Sequence, residues 1–107
     1  MYNPDNWAVV KVEESEFGDS FYKIVAGWNG GYVGGDSWKL NSGVTEVTQD
    51  ERYYYFHGAS GSVYQCHKIA EGISSSMNPI LSSINGHDRT SIVKFDMNAM
   101  NNNLLKK

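Results

Sequence analysis

Between Trp7 and Lys68, turn signals recur every six to twelve residues, and this spacing constrains the fold more than any other feature. It excludes long helices and suits strands of about five or six residues. β-Branched and aromatic side chains fit a pleated, half-buried surface, and the 107 residues include seven tyrosines, three tryptophans and four phenylalanines. "WAVVKVE" (Trp7 to Glu13) reads as a first strand. "FYKIVAGW" (Phe21 to Trp28) reads as a second, after a polar connection turning at Gly18-Asp19. Asn29-Gly30 follows at once, and a type I′ turn with positive φ at both central positions favours that pair. The expected path returns as "GYVGG", turns again at "GDS" into "SWKLN", and runs through "GVTEVTQ" to a break at Asp50-Glu51. "RYYYFHG" and "SVYQCHK" complete the meander. The expected fold class is mainly β, or β-rich α+β. It is one small domain, with a curled antiparallel sheet or small barrel and one short helix.

The character changes beyond Lys68. Asn78 offers an N-cap, Pro79 a first helical position, Ile80, Leu81 and Ile84 an apolar stripe, and Gly86 a stop. This predicts the short helix, packed across an opening of the sheet. "TSIVKFD" (Thr90 to Asp96) reads as a last strand. The tail "MNAMNNNLLKK" is either a helix with Met97, Met100 and Leu104 on one side or a frayed end, since three consecutive asparagines weaken a helix.

Composition excludes several functions. At 40% hydrophobic and 13% aromatic, the chain can build a core without disulfide or metal, so disorder is not expected. Its length fits one domain and is short for two. Nine Lys and Arg against twelve Asp and Glu leave a net charge of −3, which lacks the cation surplus of duplex-binding domains. A single cysteine cannot form an internal bridge and fits a reducing compartment. "MYNPDNWAVVKVEE" has no basic start before an apolar run, and no stretch approaches a bilayer span, so a cytoplasmic protein away from membranes is expected.

Tyr53 to His67, "YYYFHGASGSVYQCH", concentrates the chemistry. A two-residue turn at Ala59-Ser60 would set Tyr55 opposite Tyr64 and Tyr53 opposite Cys66. One face would then carry Tyr53, Tyr55, His57, Ser62, Tyr64 and Cys66. The other, the core candidate, would carry Arg52, Tyr54, Phe56, Val63, Gln65 and His67. A bulged loop would shift that register. A cysteine hydrolase needs an imidazole in reach of the thiol, but Cys66 and His57 would stand roughly 12–15 Å apart along the hairpin. Adjacent "CH" and the loop pair His87-Asp88 lack the ligand spacing of a zinc site. The glycines of "GWNGGYVGGDSW" lead into strand, without a following helix or a Walker lysine, so they read as turns and sheet curvature. Glu13, Glu14 and Glu16 read as a solvated acidic loop. No cofactor is implied.

The aromatic surplus reads either as tyrosines paving a curled sheet, with ring bodies inward and hydroxyls at the rim, or as a binding surface. Tyr53, Tyr55 and Tyr64, joined by Trp28, Tyr32 and Trp38 from the neighbouring hairpin, exceed what so small a core needs. With Asp36 and His57 they form the candidate binding set. Such rings supply hot spots at protein interfaces. They also stack nucleotides or single-stranded nucleic acid, in which case Lys23, Lys39 or Arg52 would lie near phosphates.

The run "FYKIVAGWNGGYVGGDSWKLNSGVTEV", followed by "YYYFHGASGSVYQCHK", resembles a family of small uncharacterised proteins encoded by tailed bacteriophages. The shared pattern is an aliphatic residue, then AGW-x-GGY-x-x-GDSW-x-x-NSG, with a second block from which "GASGSV" departs slightly. The likeness covers Phe21 to Lys68. It implies an accessory product acting in the cytoplasm of the infected cell and supplies no catalytic residue. With the aromatic surplus and no assembled catalytic set, the expected function is non-enzymatic engagement of a host macromolecule through the aromatic, glycine-rich sheet surface. A host protein is the expected partner. Nucleotide or single-strand binding is the alternative, and a hydrolase using Cys66 ranks last.

Overall fold

The computed structural model describes residues 1–13, 20–31, 35–72 and 90–105. Among them, seven strands form two antiparallel sheets. The first has the order β3 (Gly35–Leu40), β2 (Ser20–Gly31), β1 (Asn6–Glu13), β7 (Thr90–Val93). The second has the order β4 (Val44–Gln49), β5 (Tyr53–Gly58), β6 (Val63–His67). The mainly β class stands, although the described strands stack as two sheets and do not close into a barrel. The expected turn at Gly18-Asp19 and the expected helix near Asn78 to Gly86 lie outside the described residues.

Alternation along the strands decides what is buried. Trp7 and Val9 of β1, with Ile24 and Ala26 of β2, face Val44, Val47, Phe56, Tyr64 and Cys66 of the second sheet. Ala8, Val10 and Val25 form a smaller cluster on the opposite face of the first sheet. Trp7 joins the two layers. Its ring lies 5.4 Å from that of Phe56, and its indole N–H donates to the His67 carbonyl at 2.8 Å. Fully burying a side chain of this size contributes about 2–3 kcal/mol, so Trp7, Phe56 and Tyr64 dominate the core. Tyr2 extends the second sheet. Its N–H donates to the Val63 carbonyl at 2.9 Å, and its carbonyl accepts from Gln65 N at 2.8 Å.

The tail is a helix, α1 (Met97–Leu105). Asp96 caps it by accepting from the backbone N–H groups of Asn98 and Ala99 at 2.9 and 3.2 Å. Met100 is buried in the core, with Met97 and Leu104 packed beside it. Asn103 Nδ2 donates to the Ser20 carbonyl at 2.8 Å. Packing and this bond offset the poor propensity of the asparagine run.

Two expected turns are corrected. Asn29-Gly30 does not reverse the chain: β2 continues to Gly31, which pairs with Gly35, and an irregularity falls between Trp28 and Gly31. "GDS" is likewise strand, continuous with "WKL". An extra residue absorbed into β2 lets the ladder run past Trp28, so the expected hairpin turn becomes a bulge.

A third expected turn, at Ala59-Ser60, is also corrected, and this change moves side chains between faces. In the β5–β6 hairpin Gly58 N donates to the Ser62 carbonyl at 2.7 Å, and Gly61 N to the Gly58 carbonyl at 3.0 Å. Gly61 has φ +92. The loop is therefore three residues, Ala59 to Gly61, with the glycine in the left-handed region. Phe56 pairs with Tyr64, Tyr54 with Cys66, and Tyr55 with Gln65. One step of register exchanges the faces of β6. Tyr64 and Cys66 join Phe56 in the core, while Val63, Gln65 and His67 turn outward.

Candidate functional site

The corrected register builds the outer face of the second sheet from Tyr53, Tyr55 and His57 on β5 and Val63, Gln65 and His67 on β6. Glu46 and Thr48 of β4 stand opposite His57 and Tyr55. The rings are ordered by their neighbours. Tyr53 and Tyr55 have centroids 6.3 Å apart, and Tyr53 meets His67 edge-on at 5.1 Å. The Tyr55 hydroxyl donates to Asp50 Oδ2 at 2.6 Å and accepts from Gln65 Nε2 at 3.2 Å. Asp50 also closes the β4–β5 turn, since its Oδ1 accepts from Arg52 N and Tyr53 N at 2.9 and 2.8 Å.

This network fixes charge as well as position. The Tyr55 hydroxyl, and then the backbone N–H groups of Arg52 and Tyr53, hold the Asp50 carboxyl below the usual carboxylate range. The same hydrogen bond raises Tyr55 above an ordinary phenol. The face thus presents the Tyr55 ring beside a fixed carboxylate. Ile69, 88% exposed, stands past its end, just beyond the bond from Ile69 N to His67 Nδ1 at 3.3 Å.

The candidate residues separate into different places. Tyr53, Tyr55 and His57 share this face. Tyr64 does not: it is 1% exposed in the core, and burial raises its hydroxyl pKa. Trp28 lies on the inner side of the first sheet, with its indole N–H bonded to the Asn3 carbonyl at 3.0 Å and its ring 6.2 Å from Tyr2. Trp38, 51% exposed, points to the opposite side of that sheet, on edge strand β3. Asp36 is described through its backbone alone, in β3, and Tyr32 lies outside the described residues. Of the candidate phosphate contacts, Lys39 donates to the Tyr2 hydroxyl at 3.2 Å and lies over that ring.

Cys66 is fully buried, and desolvation pushes its thiol well above the ordinary range. His57 projects from the other face of the sheet. Among the described residues, neither His57 nor His67 shares the inner face with Cys66. Among the described residues, no three His, Cys, Asp or Glu side chains converge on a metal position. None of the described helices is long and apolar enough to cross a membrane.

The "NSG" of the glycine-rich block has a structural duty. Asn41 is buried and pairs with Ile24 through both its N–H, at 3.0 Å, and its Oδ1, at 2.8 Å. Ser42 Oγ accepts from Ser60 N at 3.0 Å and braces the β5–β6 loop. Sequence reasoning missed Asp50, Gln65 and His67 as members of the face. The Gly61 that sets the register was the available signal. Comparison with family models, curated proteins and solved structures finds no match for this chain.

Proposed function

We propose that the protein is a small non-enzymatic binding module that engages a protein partner through the Tyr53–Tyr55–His57 face. The resemblance to phage accessory proteins makes that partner a protein of the host cytoplasm. The observation that carries the reading is the Asp50–Tyr55–Gln65 network, which holds partly exposed rings in place before any partner arrives. Rings already ordered lose little entropy on binding, and tyrosine is a frequent interface anchor. Glu46 opposite His57 and Asp50 against Tyr55 favour protein over nucleic acid, because a phosphate backbone would be repelled.

Immobilised protein and bacterial lysate provide the test. A saturable partner is expected, lost with Tyr53→Ala and retained with Trp38→Ala on the other sheet. Tyrosine fluorescence is expected to stay unchanged when single-stranded oligonucleotides are added at low salt. Absence of a saturable partner, or one indifferent to Tyr53→Ala, would overturn the reading.

A further inference from the structure

We infer that the segment recognised by this face is an extended, basic stretch of polypeptide, with cationic side chains at alternate positions lying over Tyr53 and Tyr55. The inference rests on the binding-module reading above and adds the chemistry of the partner. Spacing is the first support. Alternate side chains of an extended strand recur every 6.6–6.8 Å, roughly, and the two tyrosine rings lie 6.3 Å apart. An arginine-any-arginine segment running along β5 would match both rings.

Charge is the second support. The Asp50 carboxylate lies 2.6 Å from the Tyr55 hydroxyl, Glu46 is exposed opposite His57, and Glu51 sits in the adjoining turn. Basic side chains at this end do not balance them. Arg52 is the lone cation of the turn, and Lys68, 5.0 Å from the Tyr54 ring and bonded to Gln49 Oε1 at 2.8 Å, is close enough to Asp50 to act on its carboxylate. Arg52 and Lys68 thus offset only part of the charge of Glu46, Asp50 and Glu51. A cation over a tyrosine face gains from the ring quadrupole, and a flanking carboxylate adds to it. Arginine suits the site better than lysine because its planar group stacks on the ring while bonding to a carboxylate.

The full chain is titrated with synthetic peptides of about ten residues, long enough to span one strand. One has arginine at alternate positions, and the other has glutamate in their place. Backbone amide spectra report both folding and the contact surface. The arginine peptide is expected to bind saturably and to shift residues of β5 and β6. Its affinity is expected to fall about tenfold as salt rises from roughly 50 to 300 mM. A loss of about fivefold is expected with Glu46→Gln, and a similar loss with Tyr53→Ala. Equal binding of the glutamate peptide, or indifference of the arginine peptide to salt and to Glu46→Gln, would overturn the inference. The two readings fail separately. A lysate partner captured through Tyr53 but insensitive to salt and to Glu46→Gln removes the basic segment and leaves the module. Capture that survives Tyr53→Ala removes the module itself.

Discussion

Gly61→Ala tests the register on which the site depends. At φ +92 an L-residue is strained, and a Cβ built there meets nothing within 4 Å, so the cost is backbone strain without a clash. That strain amounts to about 1–2 kcal/mol. For a chain of this size it lowers the melting temperature by roughly 4–8 °C per kcal/mol and the urea midpoint by about 1 M. Asparagine tolerates positive φ better, so Gly61→Asn is expected to lose less than Gly61→Ala. The competing two-residue turn predicts the reverse pattern. In it, Ala59 and Ser60 would carry positive φ, Ala59→Gly would stabilise the protein, and Gly61 would be replaceable. In the structure no residue other than glycine has positive φ among those described, so Ala59→Gly is expected to cost about 0.5 kcal/mol through added freedom in the unfolded chain. Urea unfolding of the three variants separates the cases. A neutral Gly61→Ala together with a stabilising Ala59→Gly would return Tyr64 and Cys66 to the outer face and refute the site as described.

Three further outcomes follow from individual contacts. Asp96→Ala removes the cap of α1 and is expected to cost about 1 kcal/mol in urea unfolding, with Asp96→Asn restoring most of it. Cys66 is expected to resist iodoacetamide in the folded protein and to react at the ordinary rate in urea, so the folded-state rate reports opening of the core. Asp50→Asn removes the main cause of the raised Tyr55 pKa, so in an alkaline ultraviolet titration one tyrosine is expected to ionise at lower pH than in the parent.

Much of the fold was legible because local rules and tertiary packing agree. The β-branched and aromatic run "WAVVKVE" marks β1, which is buried on both faces from Trp7 to Val10, and comparable runs locate β4, β5 and β6. From the sequence alone the helix of the tail stays open, because its asparagines argue against it. Docking of Met100 and Asn103 decides the question, and neither contact is local. Asn29-Gly30 misled for a related reason. The pair favours a two-residue turn when strands end beside it, but here β2 gains further ladder bonds by running on to Gly31.

The site was half legible, and parity explains which half. Alternation within β5 needs only the chain itself, so Tyr53, Tyr55 and His57 were grouped correctly. Placing β6 against β5 needs the loop length, and "GASG" fits either a two-residue turn between glycines or a three-residue loop ending in one. Gly61 at positive φ selects the second. That single step takes Tyr64 from the surface and supplies Gln65 and His67 in its place. An aromatic face of three tyrosines thereby becomes two tyrosines braced by an amide, an imidazole and a carboxylate. The change matters for function because a continuous ring surface would accept any flat apolar partner. Two rings beside a fixed anion instead favour a partner that brings positive charge at a matching interval.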